Sequence, residues 1–137
     1  MGYFANNVGS DNNGLAIALE DVSDTEMNLD AAYLELDNLN TDPLFKVTSA
    51  TWSLPSQDQW KAMFKAFGGS DSSYTGLNNA LVAAGDGEDY FVLQENNYWS
   101  STKDDGEVLY MILSKDNVYW STTDEFDDLR LRACIAF

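Results

Sequence analysis

Three aromatic side chains, Tyr110, Tyr119 and Phe126, stand in the last third of the chain among Asp104, Asp124, Asp127 and Asp128. Tyr and Trp mixed with Ser and Asp is the composition of a recognition surface: rigid rings anchor a partner and short polar groups adapt to it. A second reading stays open for the rings. Every residue from Val108 to Leu113 is apolar, so both faces of that strand are covered or one is an adhesive surface.

The missing residue types are equally informative. The chain has no histidine and a single cysteine, Cys134. Ser-His and Cys-His nucleophiles, imidazole metal ligands, thiolate zinc clusters and an intrachain disulfide are thereby excluded. Cys134 lies in an apolar run and reads as a small buried hydrophobe. Glycoside hydrolysis needs two carboxylates at a set separation. With 23 Asp and Glu in the chain, some pair always qualifies, so acid pairs carry no signal. Asp104-Asp105-Gly106-Glu107 offers oxygen ligands for calcium but reads as a charged hairpin tip. Asp11-Asn12-Asn13-Gly14 is too short for a helix–loop–helix calcium site. No catalytic residue, metal or cofactor is expected.

A length of 137 residues suits a single domain over 1–137 that buries about two-thirds of its unfolded surface. The formal charge of −16 argues against nucleic acid and anionic membrane surfaces as partners, since no basic footprint exists to displace counterions. From Asp86 to Asp128 twelve acids face only Lys103 and Lys115, so that stretch alone holds −10. An aromatic content of 13% opposes disorder. No apolar run is long enough to cross a membrane, and Met1 to Asn7 lacks the pattern of a signal peptide.

The elements that must position these residues are readable in outline. Val8 to Gly14 reads as a loop and Leu15 to Leu19 as a buried strand. Asn28 reads as the N-cap of a helix with Leu29, Ala32, Tyr33 and Leu36 on one face, failing near Asn40 to Pro43. Ser56 and Gln59 form a capping box ahead of a complete stripe, Trp60, Met63, Phe64 and Phe67, with Gly68-Gly69 as a left-handed stop. A third helix spans Tyr74 to Ala84 and ends at Gly85. Strands are expected over 90–93, 98–102, 108–113, 118–121 and 129–137. Asn97 to Thr102 and Val118 to Thr123 echo each other and read as two strands of one sheet. Helices first and strands last is an α+β pattern.

Four segments in this order resemble bacterial C-type-lectin-like domains: Gly14 to Asp21; Trp52-Ser53-Leu54-Pro55-Ser56 with Trp60; Tyr98 to Thr102; and Leu131 to Phe137. The resemblance is to the major paralogous domain and the variable proteins of diversity-generating retroelements, more distantly to formylglycine-generating enzyme. It implies a C-type-lectin-like fold of two to three helices on small twisted antiparallel sheets. It also implies a variable segment over 95–129 whose side chains line a ligand-binding surface. Asp104, Asp105, Glu107, Leu109, Tyr110, Tyr119, Ser121, Thr122, Asp124, Phe126, Asp127 and Asp128 lie where such proteins vary. Trp52, Trp60, Trp99, Ser100, Arg130 and Arg132 match the fixed scaffold. The guanidinium groups suit a structural role, satisfying buried carbonyls or a carboxylate. Two positions depart from the family pattern: Asp116 replaces a usual Gly and Ser53 a usual Arg. Formylglycine-type oxidation needs paired cysteines, which are absent.

The sequence thus points to a non-catalytic recognition domain displaying a diversified surface. Its expected partner is a protein or glycan, with the acids favouring a basic one. The expected setting is a cell surface, secretion or phage. The alternative is a structural or fimbrial adhesion domain without diversification.

Overall fold

The computed structural model describes residues 2–5, 15–47, 50–68, 70–85 and 92–136. Its elements are β1 (Gly2–Ala5), β2 (Leu15–Ala18), α1 (Leu29–Thr41), β3 (Trp52–Ser53), α2 (Gln57–Gly68), α3 (Thr75–Ala84), β4 (Asn97–Asp104), β5 (Glu107–Ser114), β6 (Asn117–Thr123) and β7 (Cys134–Ala136). The class is α+β, with three helices and two small antiparallel sheets among the described residues.

Local chemistry explains the helices. Asn28 Oδ1 accepts the Ala31 N–H at 2.9 Å and starts α1, filling one of the orphan donors of the first turn. The capping box of α2 is reciprocal: Gln59 N–H donates to Ser56 Oγ at 3.1 Å and Ser56 N–H to Gln59 Oε1 at 2.9 Å. The α2 stripe buries Trp60, Met63 and Phe64 fully and Phe67 in part. Gly76 of α3 lies so close to α2 that a Cβ on it would sit 2.5 Å from the Gly68 Cα and the Phe67 carbonyl oxygen. A side chain there would force the helices apart.

The first sheet has the order β1-β2-β7-β3, the second β4-β5-β6. The two echoing hexapeptides flank β5, but in registers one residue apart. Tyr98, Met111 and Trp120 form one cross-strand row, and Trp99, Tyr110 and Ser121 the next. Since neighbouring rows point to opposite faces, the two tryptophans of the echo face opposite sides. The face of Tyr98 and Met111 packs with Trp60, Phe64, Leu77 and Leu81 of α2 and α3. The face of Trp99 and Val108 packs with Leu29, Ala32 and Leu36 of α1 and with Leu129 and Leu131. The second sheet is therefore cored on both sides.

Several expectations are corrected. The segment 129–137 is not one strand: among its described residues, 129–136, only Cys134–Ala136 pairs as a strand, while Leu129 and Arg130 form isolated bridges to Met27 and Tyr98. Val92 and Leu93 are not in a strand; residues 90 and 91 lie outside the described residues, as do 8–14 and Gly69. Gly68 is the last helical residue and does not adopt the left-handed conformation. Tyr33 is 42% exposed, because the buried stripe of α1 narrows to Leu29, Ala32 and Leu36. β1 and β3 are too short and too mixed in composition to register as strands in the sequence.

Candidate functional site

β4 and β5 meet at a two-residue turn, Asp105 (φ 50°) and Gly106 (φ 83°). β5 and β6 meet at Lys115 (φ 50°) and Asp116 (φ 70°). Positive φ at both central residues is the hairpin geometry that matches strand twist, and it favours Asn-Gly or Asp-Gly pairs. Asp116 thus holds a left-handed conformation at the position where the resembled family has glycine.

β4 carries a register shift between Trp99 and Lys103. Its amide groups find other partners, as buried backbone must. Ser101 N–H donates to the Pro55 carbonyl at 3.0 Å. Thr102 N–H donates to Ser100 Oγ at 3.3 Å, and Ser100 Oγ donates to the Leu109 carbonyl at 2.5 Å. Thr102 Oγ1 accepts the Gln57 N–H at 2.9 Å. The bulge thereby ties the sheet to the start of α2. Trp60 Nε1 donates to the Trp99 carbonyl at 3.3 Å and Trp99 Nε1 to the Met27 carbonyl at 2.7 Å. Both rings are fully buried, as is Ser100.

Behind this frame lies an ionic node. Asp21 Oδ1 accepts Arg132 Nε at 2.8 Å, and Asp21 Oδ2 accepts Arg130 Nη1 at 3.2 Å. Arg132, 1% exposed, also donates to the carbonyls of Ala18, Leu19 and Val92. The Tyr98 hydroxyl lies 3.0 Å from both Asp21 oxygens and accepts the Gln94 N–H at 2.9 Å. Burial, then the Asp21 charge, pushes the Tyr98 hydroxyl well above its ordinary value, so it stays protonated and donates to the carboxylate. Both oxygens of Asp21 are engaged, which offsets the desolvation cost of a buried charge. Arg130 Nε is the buried side-chain polar atom left without a partner among the described residues.

The twelve expected ligand residues divide by position. Tyr110 and Ser121 are cross-strand partners, and Tyr119 pairs with Ile112 on the same face. Leu109 and Thr122 pair on the opposite face. Asp104, Asp105 and Glu107 surround the first hairpin turn. Asp124, Phe126, Asp127 and Asp128 follow β6 in a loop fixed by its own polar groups. Asp124 Oδ1 accepts the Phe126 N–H at 2.9 Å, Thr123 Oγ1 bonds the Asp127 carboxylate, and the Glu125 carbonyl accepts the Leu29 N–H at 3.1 Å. All twelve except Leu109 and Tyr110 are exposed; those two are half-buried, with Tyr110 packed against the α1 core. Of the scaffold residues, Trp60, Trp99, Ser100 and Arg132 are buried, and Trp52 and Arg130 half-buried.

Cys134 is fully buried, its Sγ 3.7 Å from Ser53 Oγ and 3.9 Å from Gln59 Oε1. Burial pushes its thiol up to about 11 despite the Ser53 contact, so it is protonated and unreactive at neutral pH. Among the described residues no three Asp, Glu, Cys or His side chains gather closely enough to hold a metal ion, and no helix is long and apolar enough to cross a membrane.

Two neighbouring cavities share Glu20 and Asp21. The larger, about 380 Å³, is walled by Ala18, Leu19, Val22, Leu39, Phe45 and Trp52. The smaller, about 260 Å³, adds Asp24, Gln94 and Arg130. Sequence reasoning assigned neither cavity, nor the role of Asp21. The signal available for Asp21 was one acid closing a buried strand, in a chain whose last strand region carries Arg130-Leu131-Arg132.

No protein-family model matches the chain, and no curated protein aligns with it significantly.

Proposed function

We propose that this chain is a non-catalytic recognition domain of C-type-lectin-like fold, of the kind diversified in retroelement variable proteins. Its binding face comprises the β4–β5 turn, β6 and the loop after β6. The observation that carries the reading is a division of labour. The backbone of 97–123 is held by ladder hydrogen bonds and by buried Trp99 and Ser100, while Tyr119, Ser121, Thr122, Phe126, Asp127 and Asp128 project outwards. Side chains so placed can change without dismantling the core, as a diversified surface requires.

Tyr119, 53% exposed, and Phe126, 74% exposed, supply aromatic anchors. Asp104, Asp124, Asp127 and Asp128 supply selectivity for a basic or hydrogen-bonding protein or glycan. Such binding weakens with added salt, because the charges are exposed and screened.

The direct test is to sequence the same locus from several clones. Substitutions confined to residues 95–129 establish diversification; substitutions spread evenly along the chain, or none, overturn it. Absence of both a nearby reverse transcriptase and a second copy of the segment favours the fimbrial alternative.

A further inference from the structure

We infer that the paired cavities at the end of β2 form a second site, separate from the β4–β6 face, that takes a small organic monocation: an apolar body ending in an ammonium group. The larger cavity, about 380 Å³, falls within the size range of small-ligand sites. Val22, Leu39, Phe45 and Trp52 give it an apolar wall. Phe45 is half-exposed, so filling the cavity removes aromatic surface from water.

That wall is preformed. Asn40 clamps Trp52 through both amide atoms: its Nδ2 donates to the Trp52 carbonyl at 2.9 Å and its Oδ1 accepts the Trp52 N–H. Trp52 Nε1 in turn donates to the Phe45 carbonyl at 2.8 Å. The Trp52 ring and the Phe45 main chain therefore stand where they are without a ligand, which limits the ordering cost that falls on binding.

Charge selects the ligand's head. Asp21, shared by both cavities, is committed to Arg130 and Arg132. Glu20 also lines both cavities and Asp24 the smaller one. Both are exposed, and neither has a hydrogen-bond or ion-pair partner among the described residues. Among the described residues three carboxylates stand against two guanidiniums, so the cavity mouth formed by Glu20 and Asp24 favours positive charge. An anion meets Glu20 and Asp24, and a neutral apolar molecule leaves them uncompensated. An ammonium group beside aromatic rings and carboxylates gains from both. No residue of this site belongs to the 104–128 set, so the inference stands whether or not that face is diversified.

The experiment titrates the full chain with n-hexylammonium, 1-hexanol and hexanoate, following the Trp52 indole N–H by NMR. The expected result is a saturable shift with n-hexylammonium, affinity for 1-hexanol about tenfold lower, and hexanoate weaker still. Glu20→Gln, a change at an exposed side chain, lowers n-hexylammonium affinity about threefold while resonances of the β4–β6 sheet stay in place. Absence of saturation at Trp52, equal affinity for the alcohol and the ammonium, or an unchanged affinity in Glu20→Gln overturns the inference.

Discussion

Asp21 Oδ1 and Arg132 Nε lie 2.8 Å apart although 111 positions separate them in the chain. The pair links the end of β2 to the segment leading into β7, and Tyr98 joins it from β4. One carboxylate thus holds together both sheets. Arg132 is almost wholly enclosed, so removing Asp21 takes a short ion pair away from a buried charge. Asp21→Ala is expected to destabilise the fold by about 3–5 kcal/mol, read from urea unfolding. A loss below ~1 kcal/mol would show that water replaces the carboxylate at no great cost.

Asp116 is expected to be a place where the chain gains stability by substitution. Its φ of 70° is one that glycine adopts without a Cβ clash. Asp116→Gly should stabilise by about 1 kcal/mol, seen as a higher urea midpoint with unchanged slope. The Tyr74 N–H bond to the residue 116 carbonyl is a backbone contact and survives the change.

The exposed face and the frame behind it should respond oppositely to truncation. Replacing Tyr119, Phe126 and Asp127 together should change stability by no more than about 1 kcal/mol while abolishing binding of any partner recognised through that face. Trp99→Ala should cost about 3–5 kcal/mol, since it removes a fully buried ring and the donor to the Met27 carbonyl. If the triple variant folds and retains binding, the assigned face is wrong.

Stability should fall in alkali in a defined window. Below the ordinary thiol value of 9, Cys134 is protonated whether folded or unfolded, and its contribution is full. Between 9 and about 11 the unfolded thiol ionises while the folded one does not, so the native state loses ground on the order of 2 kcal/mol. Tyr98, also raised by burial, adds to the loss in the same direction at higher pH. Urea midpoints measured from pH about 8 to about 11 should decline, and the Cys134→Ala variant should decline less.

What the sequence made legible was what depends on neighbours in the chain. The α2 capping box and stripe, the α1 cap and the hairpin turns need only residues a few positions apart. The tail from 129 to 137 misled because its apolar residues resemble a strand, whereas the main chain of Leu129 and Arg130 bonds outwards to Met27, Asn97 and Trp99. Strand propensity describes a fit to a pleated, half-buried surface, and here the surface is shared among several elements. Tyr33 matched a helical stripe that the rest of the core did not extend far enough to cover. The cavities were illegible for the same reason: the walls of the larger come from β2, α1, the loop at Phe45 and β3, and those of the smaller from Glu20, Asp21, Asp24, Gln94 and Arg130, which only tertiary packing brings together.

β6 ends its sheet. The α2–α3 connection covers its beginning, where Val118 N–H donates to the Ser72 carbonyl and Asn117 bridges to Ser73. Past that point no described residue pairs with the strand border carrying Tyr119 to Thr123, and such a border is a template for another chain. Colloidal behaviour follows. Near neutral pH each molecule repels its copies through a charge of −16, which keeps such borders apart. Acidification towards the isoelectric point near 4.1 removes that repulsion while leaving the template in place, and strand-to-strand association is the expected route by which the protein leaves solution.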